Sequence, residues 1–311
     1  MATPKILQRS YADLFGVNQL PLLKEIFDSN LKRHNDIRST LFKTVSHDRE
    51  IYQVTGIEDL ALPTSVSEGA DYTFSAPAQG YDKTFTVVKY GNGFSISKEA
   101  IDDGKFNHVA DGMRKLARGA MEAKEIAGMN IFNNGFTSET TSDGVALFSE
   151  SHTTPTGTYT IANRPSTDVD LSFSSLSSAI TSFSTAFRSD NGIYRSIRPK
   201  YLVVPPELVL YAEQLVQSSL KADSANNNIT PGGIRGLQVI SSPHLSDSDA
   251  WFLMADNEDS YLRVIDRRGI KLESSGHDFG FLNDSLSFKV SYREVVGAWR
   301  PEGAWGTTGA A

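Results

Sequence analysis

The chain has 311 residues, 39% hydrophobic and 22% charged, a composition that folds and a length that suits one large domain or two ordinary ones. It has no Cys, which excludes disulfides, thiolate catalysis and thiolate metal sites and fits a cytosolic origin. A formal charge of −7 argues against a protein whose main task is gripping nucleic acid, the opening "MATPKILQRS" lacks the apolar core of a signal peptide, and no apolar run approaches the ~20 residues of a membrane span.

Residues 1–50 read as a polar arm holding 8 Lys/Arg and 6 Asp/Glu, so this segment is +2 while the remainder carries −9. One amphipathic helix is expected there, because Leu20, Leu23, Phe27 and Leu31 recur at helical spacing with Pro21 in the first turn. Residues 51–97 change period. "IYQVTG" reads as a strand, "KTFTVVKY" alternates with Phe85 and Val87 on one face, and "FSIS" continues with Phe94 and Ile96. Between them lies "GIEDLALPTSVSEGADYTFSAPAQG", a long two-armed excursion with little to bury. A two-stranded ribbon alone is marginal in water, so the excursion is expected to lie on another surface.

The strongest helix follows over Phe106 to Phe132, where Phe106, Val109, Met113, Leu116, Ala120, Ala123, Ala127 and Ile131 step by three or four. Its Gly112, Gly119 and Gly128 each cost up to ~1 kcal/mol relative to Ala, so tertiary contacts must hold it. A second helix is expected from an N-cap at Asp170, with Phe173, Leu176, Ile180, Phe183 and Phe187 on its stripe. "YLVVPPELVLYAEQLVQ" reads as a buried strand and a Pro-opened helix, and "ADSANNNITPGG" as a polar loop. "LQVISSPHL", "AWFLMAD", "YLRVID" and "LSFKVSYREVVGAW" complete the chain as strands. Helices and strands are mixed without βαβαβ repetition, so the fold class is α+β.

The stretch "DGVALFSESH" sets Ser149, Glu150, Ser151 and His152 side by side. A nucleophilic Ser sits on a strained turn and takes its His from elsewhere in the chain, and the flanking glycines of a nucleophile elbow are missing. The stretch therefore reads as a polar junction whose side chains cap backbone groups. The six His residues have no zinc-ligand spacing, "GNG" at 91–93 lacks the context of a dinucleotide fingerprint and reads as a hairpin or strand kink, and "PGGIRG" is not a P-loop. No catalytic residue, cofactor or metal is expected.

The serial order of four segments carries a resemblance. These are "GYDKTFTVVKYGNGFSISKEAIDDGKF", "DGVALFSESH" (Gly144, Leu147, Phe148, Ser149 and His152), "SIRPKYLVVPPELVLYAEQLVQS" and "PGGIRGLQVISSPHLSDSDAWFLMAD". Together, over about residues 10–306, the chain resembles the major capsid protein of tailed bacteriophages, and most closely the major head subunit of Mu-like phages and prophages. The resemblance implies an N-terminal arm (1–50), an extended loop (51–97), a peripheral domain with a spine helix (98–200 and 284–311) and an axial domain (201–283).

It also implies hexamers and pentamers closing into an icosahedral shell around double-stranded DNA that is touched nonspecifically. Implied partners are a scaffolding protein, a portal and decoration proteins, with assembly in the host cytoplasm and no membrane. Because the arm begins close to Met1, the scaffold is expected as a separate protein. Lys83 and Lys89 lie in the loop without a recognisable carboxylate partner, so no covalent cross-link is expected. On this reading Phe85, Val87, Phe94 and Ile96 pack the loop onto an adjacent subunit, Phe106, Val109, Met113 and Leu116 anchor the spine helix, and Trp299 and Pro301 close the peripheral core. The alternatives are a bacterial nanocompartment shell, a tail-tube or decoration protein and, as a third class, an enzyme using His152.

Overall fold

The computed structural model describes residues 20–34, 36–76, 78–97, 99, 106–218, 231–275 and 285–310. In chain order its elements are α1 (Leu20–Arg33), α2 (Arg38–Leu41), β1 (Lys43–Ser46), β2 (Ile51–Ile57), β3 (Gln79–Thr86), β4 (Val88–Ser97), α3 (Phe106–Asn133), β5 (His152–Thr153), β6 (Thr160–Ile161) and α4 (Phe173–Ala186). There follow β7 (Tyr201–Val204), a 3-10 turn (Pro206–Leu208), α5 (Val209–Gln217), α6 (Gly232–Arg235), β8 (Gln238–Ser241), β9 (Trp251–Met254), β10 (Leu262–Ser274), β11 (Ser285–Ala298) and β12 (Ala304–Thr307). This is the mixed α+β class expected from the sequence. The expected arm over 1–19 and most of the polar loop, residues 222–230, lie outside the described residues. The chain divides into two units, Met1–Asp36 with Val87–Glu125 and Asp266–Glu294, and Ile37–Thr86 with Ile126–Ile265 and Val295–Ala311.

In the first unit the apolar stripe of α3 is pressed between α1 and a sheet. Leu23 of α1, Val109 and Met113 of α3, and Leu286 and Phe288 of β11 form one buried cluster. Phe27, Leu116, Ala117, Ala120 and Val290 form the next. The sheet order β1-β10-β11-β4 sets β11 between β10 and β4. β4 does not turn back on β3 but pairs antiparallel with β11, Phe94 opposite Phe288 and Tyr90 opposite Tyr292. Both pairs stack, with ring centroids 5.4 Å and 5.2 Å apart. Gly91 to Gly93 is therefore ordinary strand in this pairing, not a hairpin. Such cross-strand aromatic pairs each contribute about 0.2–1 kcal/mol beyond Ala pairs. At the end of this unit Lys124 bonds Glu294 at 2.9 Å and lies 4.9 Å from the Tyr292 ring centroid.

The second unit is built on a four-stranded sheet of order β12-β9-β7-β8, antiparallel except for the β7–β8 pair, which α5 connects. Alternation explains its continuous apolar strands. Leu202, Val204, Trp251 and Leu253 face a core closed by α4 and α5, while Tyr201, Val203, Phe252 and Met254 face a second core. A sheet covered on both faces has no polar side to show. The second core centres on Phe132, Phe136, Phe148 and Phe252, with ring centroids 5.0–6.5 Å apart. Helix α4 is capped by Ser172, not by Asp170. Ser172 accepts from Ser175 N–H and the Ser175 side chain answers at Ser172 N–H, a reciprocal box. Asp170 instead accepts from Ala310 N–H at 2.8 Å.

The contrast between these cores and the surface sets a stability prediction. Phe252→Ala is expected to cost about 3–5 kcal/mol, whereas Leu210→Ala, at a side chain 80% exposed, stays within about 0.5 kcal/mol, both read by denaturant unfolding.

Candidate functional site

The excursion between β2 and β3 concentrates exposed apolar side chains in one short segment. β2 and β3 pair antiparallel, Tyr52 opposite Phe85 and Ile57 opposite Gln79, with a register shift between Thr55 and Ile57. The last cross-arm backbone bond runs from Glu58 N–H to Ala78 O, at 3.0 Å. Beyond it the described residues to Ala76 form no helix or strand, and Ser67 to Ala70 make a turn closed by Ala70 N–H to Ser67 O at 3.0 Å. Gly69, the third residue of that turn, has φ +81°, which a side chain would oppose. Along these arms Leu60, Leu62 and Val66 are exposed, as are Ile57 at 71%, Tyr72 at 76% and Phe74 at 93%. Single exposed apolar side chains are ordinary, but six in one short segment are not.

The residues expected to dock the loop are placed differently. Phe85 is only 4% exposed; it stacks on Tyr52 and lies over Gly297, where a Cβ would come within 2.7 Å of its ring. Val87 is buried, and Phe94 and Ile96 pack on the Val109, Met113 and Phe288 cluster. The excursion's free apolar area thus lies in the arms themselves, because alternation along β3 and β4 turns these four side chains inward. Val109, Met113 and Leu116 are buried beneath α3. Phe106 opens the helix, and its side chain is outside the described residues. Trp299 packs edge-on against Tyr261 with centroids 5.5 Å apart. Pro301 is buried beside it and accepts from Asn163 Nδ2 at 3.4 Å.

What sequence reasoning missed is the fastening at the root of the loop. Glu58, Arg300 and Glu302 are all buried. Arg300 bonds Glu58 at 2.9 Å and lies 3.7 Å from Glu302. Arg195 bonds Glu302 at 3.0 Å and lies 3.3 Å from Asp59. Burial pulls the Arg195 guanidinium down, but Glu302, Tyr261, Asp59 and Glu58 together hold it above its ordinary range. Two glycines make room for this cluster. A Cβ on Gly56, the residue skipped by the register shift, would meet Arg300 Nη2 at 2.5 Å, and one on Gly80 would meet Glu58 Oε1 at 2.8 Å. Lys83 adds a second fastening through Thr140 O at 2.7 Å, and Tyr81 a third through Thr153 at 3.2 Å. Removing one partner of a buried ion pair leaves the other charge uncompensated, at about 3–5 kcal/mol.

The Ser-Glu-Ser-His stretch is architecture. His152 is fully buried, with Nδ1 2.7 Å from Asp143 and Nε2 3.2 Å from Leu147 O. Both ring nitrogens are taken up by these partners, and neither is paired with a serine hydroxyl. Ser149 Oγ is occupied by Ser151, accepting its backbone N–H at 3.2 Å. Burial pushes the Asp143 carboxyl up, but bonds from His152, Thr141 and the Val145 N–H outweigh it and hold the group below its usual range.

Two tests follow. Arg300→Met is expected to lower stability by about 3–5 kcal/mol and to open residues 56–82 to limited proteolysis, while the remainder stays resistant. Asp143, its carboxyl depressed on folding, contributes stability that is complete above its unfolded value of about 3.9 and is lost as pH falls through the lower folded value. Thermal unfolding of the native chain should therefore steepen below about pH 4, and Asp143→Asn should flatten that loss while lowering stability at pH 7 by about 2 kcal/mol.

Solved structures share this fold. The capsid of the cyanophage P-SCSP1u superposes with a TM-score of 0.57 at 12% identity over 88% of each chain. The capsid of an empty GTA particle gives 0.56 at 12% identity, covering 89% of this chain and 90% of the other. A virus-like particle from Pyrococcus furiosus gives 0.53 at 12% identity, covering 94% of this chain and 100% of the other. No curated protein matches. The sequence profile of the family described as "Phage capsid protein" matches residues 80–306, a span from the return arm of the loop through α3 and the strands from β4 into β12. The chain therefore belongs to the phage capsid protein family and is a major capsid protein.

Proposed function

We propose that this capsid protein is the head subunit of a Mu-like phage or prophage, forming hexamers and pentamers that close into an icosahedral shell around double-stranded DNA. A scaffolding protein, a portal and decoration proteins complete the particle, which assembles in the host cytoplasm and does no chemistry. The working division is an arm over 1–50, a loop over 51–97, a peripheral domain over 98–200 and 284–311, and an axial domain over 201–283. The charge of −7 suits a wall that encloses DNA without reading it.

One observation carries the reading: an apolar excursion that the chain fastens at its root and leaves bare along its length. Covering Ile57, Leu60, Leu62, Val66, Tyr72 and Phe74 at about 1.5–3 kcal/mol each supplies on the order of 10 kcal/mol per loop before ordering costs. Each copy gives one loop and receives another, a heterologous contact that generates rings. Closure multiplies modest contacts through effective concentration.

A second reading has one observation in its favour, the likeness of fold to the Pyrococcus furiosus virus-like particle. A nanocompartment shell would copurify with a cargo protein, whereas a phage head fills with DNA through a packaging motor.

Deleting residues 60–78 is expected to leave a soluble chain whose α3 and sheets fold, and which no longer forms particles by negative-stain microscopy or sedimentation. Particles like those of the intact chain would count against the assignment.

A further inference from the structure

The outer surface of the β10-β11-β4 sheet holds a concavity of ≈ 480 Å³ whose lining includes Lys89, Arg268 and Lys289. Gly91 and Gly93 place no side chain over the strand there, so the floor is backbone. Three cations face one acid, Glu273, which Lys289 bonds at 2.9 Å. That bond, and to a lesser degree Arg268 and Lys271, holds the Glu273 carboxyl below its usual range. Arg268 gives one N–H to Ser291 Oγ at 2.7 Å, and its Nε is buried without a partner among the described residues. The cradle is left with an excess of two positive charges.

The loop is its complement. Residues 58–81 contain four acids, Glu58, Asp59, Glu68 and Asp71, and no Lys or Arg. Glu58 and Asp59 are engaged at the root by Arg300 and Arg195. Glu68 and Asp71 remain, both at the tip turn, both exposed and neither in an ion pair among the described residues. The ten residue steps from Glu58 to Glu68 carry that turn up to about 30 Å from the root. Two free carboxylates on a turn with Gly69 at its bend match two surplus cations over a floor of glycines.

We propose that the tip of one copy's extended loop, through Glu68 and Asp71, seats in the Lys89–Arg268–Lys289 cradle of a second copy. This rests on the assembly reading above and names the surface that receives the loop. The apolar arms supply attraction without direction; the charged tip fixes where each loop ends, since opposed charges select register and reject wrong partners. Nucleic-acid phosphate is the competing occupant of such a cradle.

The test is a charge exchange in the full chain. Glu68→Lys with Asp71→Lys, and separately Lys89→Glu with Lys289→Glu, should each cut particle yield by about tenfold or more, because the lost contact recurs at every loop. Circular dichroism of the unassembled chains should stay unchanged, and the Tm should fall by no more than loss of the exposed Lys289–Glu273 pair allows. Combining all four substitutions should restore particles. Native yield from either reversed pair, or failure of the exchanged chain to assemble although it folds, would overturn the proposal. Particles that form normally from the Lys89→Glu, Lys289→Glu chain but hold less DNA would overturn it in favour of phosphate. If the reversed cradle disturbs folding, Lys89→Gln with Lys289→Gln gives the same reading with a smaller loss. Absence of particles from the unaltered chain expressed together with its scaffolding protein would instead refute the assembly reading itself.

Discussion

Two antiparallel arms cannot bury their own side chains, and the rest of this structure is arranged around that constraint. A ribbon has two faces and no second layer, so apolar residues on it either meet another surface or stay in water. The excursion carries Ile57, Leu60, Leu62, Val66, Tyr72 and Phe74 into water. The chain does not remedy this with a helix or a third strand. It spends its buried charges at the root, where Arg195 and Arg300 hold Glu58 and Asp59, and leaves the remainder uncovered.

A buried ionic cluster is a weak source of net stability, because desolvation opposes the Coulombic gain. Its use here is directional. An apolar root of the same volume would tolerate several angles between loop and body, whereas hydrogen-bonded guanidinium and carboxylate groups tolerate few. Gly56 and Gly80 show how closely the backbone is drawn onto those groups, since neither position has room for a methyl. A loop aimed by its root can meet the same surface on every copy, which a closed shell demands.

Much of this was readable from spacing. The stripe Leu23, Phe27 and Leu31, the long run from Val109 to Ile131, and the continuous apolar "YLVV" each point to one local geometry, and local periodicity is a strong signal. That the excursion would leave the body of the chain was readable from its Gly, Pro, Ser and Ala content. Three features were not. Asp170 is as good a cap as Ser172 until the Ser175 side chain answers one of them. The departure of β4 toward β11 depends on a partner nearly two hundred residues away, and alternation alone assigns Phe94 to either sheet. The root cluster joins Glu58, Arg195 and Arg300 across more than a hundred residues at each step, and no spacing rule reaches that far.

The central claim is that the excursion finds its second layer only on another copy. Amide hydrogen exchange of residues 58–76 compared between dissociated subunits and assembled particles tests this most directly. The account predicts that residues 59–76 exchange close to an unstructured chain in free subunits and are strongly protected in particles, with Glu58 and the strands below it protected in both. Equal protection of the arms in the free subunit, or none in the particle, would contradict it.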